Sequence, residues 1–249
     1  MSATDETMGG MNPFGAVELA GKAGLAYLRR SRVAVTVNED YDTFSANVDE
    51  SGVRSFFFPV DTPEQLTQLS GNPDRLIYTK PHRWVVKNNG YVLGSTAFEF
   101  AVQSLNATVA LIGGKPVVYE GIEETRGIAV VPPPAGGPTT GSFLSVSLDE
   151  ESIDCRGGDN PGAPSIPFRY EIRQGETAIF RVIAHSTHPR AWFLRLVFVV
   201  NGKKVQYDVR RENDEDFVTL PVYYDGITAS YRWERDHWEQ VETYRRHRP

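Results

Sequence analysis

Leu194-Arg195-Leu196-Val197-Phe198-Val199-Val200-Asn201-Gly202-Lys203-Lys204-Val205-Gln206-Tyr207-Asp208-Val209 is the stretch on which the fold turns. Asn201-Gly202 stands between two strand-like runs. An Asn-Gly pair in that setting is the strongest short-range hairpin signal, because a type I′ turn needs positive φ at both central residues. If Val200 pairs with Lys203, the register sets Phe198 against Val205, Leu196 against Tyr207 and Leu194 against Val209. One face of the hairpin is then wholly apolar. The other pairs Val199 with Lys204, Val197 with Gln206, Arg195 with Asp208 and Phe193 with Arg210, and is read as the solvent side. A slip of one residue would bury Lys204, Gln206 and Asp208, so the register is strongly specified.

Strand grammar continues on both sides of this hairpin. The sequence predicts strands at Val33–Val37, Ser55–Phe58, Leu76–Thr79, His82–Lys87, Thr96–Ser104, Thr108–Ile112, Val117–Ile122 and Gly127–Val131. Further strands follow at Phe143–Asp149, Phe168–Ile172, Thr177–His185 and Phe217–Val222. Asn88-Asn89-Gly90 and Gly113-Gly114 read as turns between them. A closing hairpin, Ser230–Glu234 with Trp238–Thr243, is expected around Arg235-Asp236-His237. Two helices are expected. Residues 13–30 have Asn12 as a cap, Pro13 in the first turn and Arg29-Arg30 at the far end, although Gly15, Gly21 and Gly24 weaken them. A short second helix opens at Asp61-Thr62-Pro63-Glu64-Gln65-Leu66, where a capping residue, Pro and Glu follow in order.

Many short strands, turn signals between them and only two helices predict a mainly β protein: antiparallel β-sandwich or sandwiches with an N-terminal helix and one short additional helix. Pro132 to Gly141, Pro-Pro-Pro-Ala-Gly-Gly-Pro-Thr-Thr-Gly, is the clearest composition shift, since such a run sustains neither a helix nor a central strand. The expected organisation is therefore a lead and helix over 1–31, a first β domain over 32–131, a linker over 132–141 and a second β domain over 142–249. A single enlarged sandwich is the other reading.

Several motifs align with a known family. They are His82-Arg83-Trp84, Glu99-Phe100-Ala101-Val102-Gln103, Ala107-Thr108-Val109-Ala110-Leu111-Ile112 and Gln174-Gly175-Glu176-Thr177-Ala178-Ile179-Phe180-Arg181-Val182-Ile183-Ala184. Trp192 to Leu196, Asn201-Gly202-Lys203 and Tyr207-Asp208-Val209 complete the set. Over roughly residues 80–220 the chain resembles an uncharacterised family of β-rich proteins from Streptomyces and other actinobacteria. It departs from that family at Glu212 to Phe217, where members carry a Gly-containing turn before Pro-Phe. The resemblance implies a β-rich fold and brings no activity, cofactor or site residue with it.

Composition narrows the function. The chain has 249 residues, long enough for a proper core, and a formal net charge of -6, which argues against a nucleic-acid partner despite the basic tail Arg245-Arg246-His247-Arg248. Cys155 is the only cysteine, so no internal disulfide forms and a reducing, cytoplasmic setting is expected. It sits in a run read as a polar, Gly-rich loop, Asp154-Cys155-Arg156-Gly157-Gly158-Asp159, and reads as a bystander thiol. No run of eighteen apolar residues is present for a membrane span, and Met1 to Gly10 lacks the basic region of a signal peptide.

Candidate chemistry is sparse. His185-Ser186-Thr187-His188 has metal-like spacing, but residues three apart in a strand point to opposite faces unless a turn intervenes. Acidic runs occur at Glu123-Glu124, Asp149-Glu150-Glu151 and Glu212 to Asp216. Paired-carboxylate catalysis needs two such groups facing across about 5–10 Å, and runs of acids are most often solvated turns. The last run also has the oxygen ligands calcium prefers, without EF-hand spacing. No nucleophile elbow, phosphate loop or dinucleotide fingerprint occurs. Neither a catalytic residue, a metal ligand set nor a cofactor is assigned.

The remaining signal is aromatic: Tyr231, Trp233 and Trp238, in a region that also carries Tyr223, Tyr224 and Tyr244, could present a platform for a sugar or a protein partner. Packing against the domain edge is the plainer reading. The sequence thus favours a non-catalytic β-sandwich protein acting in assembly or partner binding, with a protein partner or self-association. One alternative is a hydrolase using loop carboxylates or His185 and His188. Another is a membrane-surface or effector protein engaging through residues 13–30, with peripheral contact only.

Overall fold

The computed structural model describes residues 33–40, 43, 55–66, 81–119, 122, 125–131, 143–156, 168–235 and 237–242. Residues 13–30, the 132–141 run, the Leu76–Thr79 strand, Glu123-Glu124 and the basic tail lie outside them.

The chain is mainly β, in three five-stranded sheets. The first contains β1 (Val33–Asn38), β4 (Ser95–Ser104), β10 (Thr177–His185), β7 (Phe143–Ser147) and β8 (Ser152–Arg156), side by side in that order. The second runs β12 (Lys203–Val209), β11 (Arg190–Val200), β5 (Val109–Tyr119), β9 (Tyr170–Ile172). There β13 (Phe217–Thr219) takes up the pairing with Arg190 to Trp192 of β11, beyond the end of β12. These two sheets face each other and share one core. Phe98, Phe100, Val102, Val146 and Val182 from the first meet Leu111, Trp192, Leu194, Leu196 and Phe198 from the second. Phe98 stacks on Phe217 across the gap, ring centres 4.2 Å apart. The Trp192 indole N–H donates to Thr219 Oγ1 at 2.9 Å, so the buried ring carries no unpaired donor.

The third sheet orders β15 (His237–Val241), β14 (Ile227–Glu234), β6 (Gly127–Val130), β2 (Phe56–Phe58) and β3 (Tyr91–Val92). Both of its faces are covered. Phe56 and Phe58 point into one cluster with Trp84, Val85, Ile128 and Val130, while Phe57 enters another with Leu93, Ala129, Leu220 and Tyr224. A strand buried on both faces has no polar side to alternate, hence the unbroken Phe-Phe-Phe. Gly127 allows β6 its close approach to β2, since a Cβ there would collide with the Phe58 carbonyl.

The hairpin has the register its pattern requires, from Val200 opposite Lys203 to Leu194 opposite Val209, with Asn201 at φ 50° and Gly202 at φ 74°. Its polar face is not simply a solvent side. Phe193 is fully buried, roofed by the Arg210 guanidinium 4.2 Å from its ring centre and by Arg195 at 5.2 Å.

Other expectations are corrected. His82–Lys87 is not a strand but the main part of helix α1 (Pro81–Lys87). Pro81 opens it. The Gly90 amide donates to the Val85 carbonyl and the Asn89 amide to the Val86 carbonyl, with Asn89 at φ 53°, a Schellman closure. At 61–66 only a 3-10 turn, Pro63–Gln65, forms, with the Gln65 amide oxygen accepting from the Asp61 and Thr62 backbone. Gly113-Gly114 is no turn: β5 runs through it, with Ile112 as the extra residue of a bulge opposite Val197 and Phe198. The Cys155 run is edge strand β8 as far as Arg156, not a loop.

Each sheet also draws strands from both sides of residues 132–141. β10 pairs with β4 and, in parallel, with β7; β11 pairs with β5; and β14 runs parallel to β6. Strand pairing therefore crosses the Pro/Gly run in all three sheets.

Candidate functional site

Where the third sheet and α1 meet the sandwich, a pocket of about 90 Å³ opens. Its apolar lining comes from elements far apart in sequence: Val85 of α1, Val92 of β3, Ala97 of β4, and Phe217 and Val218 of β13. Its polar rim is Glu39, His82 and Arg211. The Arg211 guanidinium Nε donates to Glu39 Oε2 at 2.9 Å, and the Glu212 amide donates to Glu39 Oε1 at 2.8 Å. One carboxylate thereby ties the end of β1 to the β12–β13 turn. Thr96 stands in the wall with its hydroxyl committed, 2.7 Å from Thr219 Oγ1 and 2.9 Å from the Val218 carbonyl.

His82 and Val86 also line an adjoining groove with Arg83, Lys87, Asp40 and Glu212. α1 contains His82, Arg83 and Lys87 and no acidic residue. Among the described residues neither Arg83 nor Lys87 has an ion-pair partner. Val86, at the lip shared by pocket and groove, is 48% exposed. No motif signals this site in the sequence; its nearest trace is Pro81 before a run closed by Asn89-Gly90, helix grammar in a stretch whose apolar pattern predicts a strand.

His185 and His188 are placed differently from a metal pair. His185 ends β10 opposite Ser95 and Ser147, while His188 lies in the β10–β11 turn. The centre of that turn is Asp149, whose carboxylate accepts from Ser186 Oγ at 2.8 Å, the Thr187 amide at 2.7 Å and Thr187 Oγ1 at 2.9 Å. His188 Nδ1 is 2.9 Å from Thr187 Oγ1 and 3.8 Å from Asp149. Burial by itself would raise the Asp149 carboxyl; the Thr187 amide, the two hydroxyls and the Arg190 charge outweigh it and hold the group below its ordinary value. The arrangement ties the β7–β8 turn to the β10–β11 turn. Among the described residues no three His, Cys, Asp or Glu side chains gather as a metal site would require.

The Glu212 to Asp216 run forms the β12–β13 turn. Asp214 is at φ 65°, the Arg211 amide donates to the Glu215 carbonyl, and Asp216 pairs with Arg210. Burial, with the Asp208 and Asp214 charges, raises the Asp216 carboxyl despite that pairing. Cys155 is half-buried against the main core, and burial with the neighbouring Asp154 pushes its thiol up, away from a nucleophile's range.

Tyr231, Trp233 and Trp238 do share one face. Trp233 lies opposite Trp238 on the β14–β15 hairpin, with ring centres 5.0 Å apart and edge to face. Trp238 stacks on Trp84 of α1 at 6.4 Å. All three are half-buried against Phe56, Phe58 and Trp84, so this face packs the third sheet onto the helix.

The chain matches no protein-family model and no curated protein.

Proposed function

We propose that this is a non-catalytic β-sandwich protein acting in assembly or partner binding, and that the cleft beside α1 is where it engages. The cleft carries the reading: an apolar pocket, an exposed Val86 at its lip and two cations without an ion-pair partner among the described residues. Pockets of this kind, formed where elements converge and provided with few polar groups, are the usual binding places of a fold. Asp149, from one of the acidic runs that suggested chemistry, closes turns through several hydrogen bonds, and Glu39 does the same at the pocket rim.

The test is sedimentation velocity and chemical cross-linking of the full chain, beside Val86→Asp and a broad hydrolase screen. Association that weakens in Val86→Asp, with no turnover, is the expected result. Turnover abolished by a combined His185→Ala and His188→Ala change would establish the hydrolase instead. Vesicle binding that depends on residues 13–30 and not on Val86 would establish the membrane-surface protein.

A further inference from the structure

We infer that the free edge of β12 pairs antiparallel with β12 of a second copy of this chain, about a two-fold axis through Gln206. This rests on the assembly reading above but not on the cleft, and it names the partner.

The edge itself is the first observation. β12 is the outermost strand of the second sheet and, at seven residues, the longest strand standing at a sheet edge among the described residues. The two-residue turn makes Val200 and Lys203 a hydrogen-bonded pair, so along β12 the odd-numbered residues bond to β11. The amides and carbonyls of Lys204, Gln206 and Asp208 point the other way, and no backbone group among the described residues bonds to them. A row of unpaired groups of this kind is a template for another strand.

Charge then selects the occupant and the register. Two β12 strands satisfy those groups only where even-numbered residues face even-numbered ones. A two-fold axis at Lys204 would set lysine on lysine, and one at Asp208 would set aspartate on aspartate. An axis at Tyr207 would set Lys204 against Arg210, and one at Val205 would leave Asp208 opposite Gly202. The axis at Gln206 places Lys204 opposite Asp208, twice. Lys204 is exposed and has no ion-pair partner among the described residues. Asp208 spends two acceptor sites on Arg195, and a carboxylate has about four. The same register sets Val205 against Tyr207 on the core side, also twice. Tyr207 is half-buried at the margin of the main core, so Val205 of the second copy continues that core from one sandwich into the next.

The ends of the edge match as well. Antiparallel pairing lays the Lys203-Lys204 end of each copy beside the β12–β13 turn of the other, where Glu212, Asp214, Glu215 and Asp216 outnumber Arg210 and Arg211. Lysines on an edge strand ordinarily discourage pairing between sheets. Here each meets the opposite charge.

The experiment is sedimentation velocity of the full chain over a concentration series, with native mass spectrometry of mixed variants. A concentration-dependent dimer is expected, weakened by added salt. Gln206→Lys and Gln206→Glu each set like charges across the axis and should weaken the dimer about fivefold, while an equimolar mixture of the two should form the mixed dimer in preference. Gln206 is exposed, so both variants should keep the melting temperature of the unsubstituted chain. Gln206→Pro removes the outward N–H at the axis without touching a bond to β11, and should abolish the dimer. A dimer strengthened by Gln206→Glu would place Lys204 opposite that position, and one strengthened by Gln206→Lys would place Asp208 there; either overturns the register. If Val86→Asp weakens association and the Gln206 variants do not, this inference fails and the cleft reading stands. If the Gln206 variants weaken it and Val86→Asp does not, the edge holds and the cleft reading fails. A monomer at every concentration overturns both.

Discussion

Arg195 and Asp208 form a two-point ion pair across the β11–β12 hairpin, Nε to Oδ1 at 2.7 Å and Nη2 to Oδ2 at 2.8 Å. Their side chains are only 18% and 11% exposed, and the Arg195 guanidinium also covers the buried Phe193 ring. An exposed cross-strand pair is worth at most about 1 kcal/mol, whereas removing one partner of a buried pair costs about 3–5 kcal/mol. This pair lies between those limits. Arg195→Ala should destabilise by about 1–3 kcal/mol, and Leu196→Ala, which empties a fully buried site, by about 2–5 kcal/mol. Denaturant melts of both, with Asp208→Ala completing a double-mutant cycle, measure this. A coupling energy near zero would show a pair screened as if in water.

Two glycines should respond to substitution for different reasons. Gly202 sits at φ 74° with open space where a Cβ would go, so Gly202→Ala meets only the left-handed penalty of about 1–2 kcal/mol. Gly127→Ala drives a methyl into the Phe58 carbonyl and should cost about 3 kcal/mol or more. Thermal melts that ranked them the other way would place the tight β2–β6 approach elsewhere.

Asp149 and Asp216 should have opposite effects at neutral pH. The folded-state carboxyl of Asp149 lies below its ordinary value of 3.8. Its contribution is therefore present above that value and lost as pH falls through the lower, folded one. Asp149→Asn, which leaves the Ser186 and Thr187 donors poorly matched, should lower stability at pH 7 by about 1–3 kcal/mol, and the difference should shrink in acid. Asp216 is raised, so its ionised form weighs against folding, and that penalty disappears as pH falls through the raised value. Asp216→Asn should melt at or above the unsubstituted chain at pH 7. Stability curves from acid to neutral pH read both signs, and a destabilised Asp216→Asn would make its Arg210 contact the larger effect.

Cys155 should alkylate slowly in the folded protein. It is half-buried on β8, facing the core beside Leu144, with its thiol pushed up. Iodoacetamide labelling followed by mass spectrometry should run faster in urea than in buffer. Equal rates would mean that β8 opens freely.

How much of this was legible in the sequence depends on distance along the chain. The hairpin from Leu194 to Val209 and the bounds of Thr177–His185 could be read because alternation and an Asn-Gly turn act within a few residues. His82–Lys87 misled because apolar residues in a short run satisfy either period, and the deciding signals, Pro81 and the Asn89-Gly90 closure, lie at its ends. Gly113-Gly114 misled for a related reason: glycine permits both a turn and a bulge, and only a partner strand selects between them. Tyr231, Trp233 and Trp238 could be seen as a cluster, but not that Trp84 would stack on one side of it.

By itself, then, the sequence determined a mainly β chain, the register of its clearest hairpin and which face of that hairpin enters the core. These follow from local periodicity and turn chemistry. Only the tertiary structure decided that β6 lies parallel to β14 across the Pro/Gly run and β7 parallel to β10, that Phe193 is roofed by two guanidinium groups, and that a cleft opens beside α1. Parallel partners are joined by long connections that carry no register signal of their own. The pocket brings together Glu39, Val85, Val92, Ala97, Arg211 and Phe217 from segments up to 178 residues apart. Their approach is set by the packing of three sheets, which no local pattern encodes.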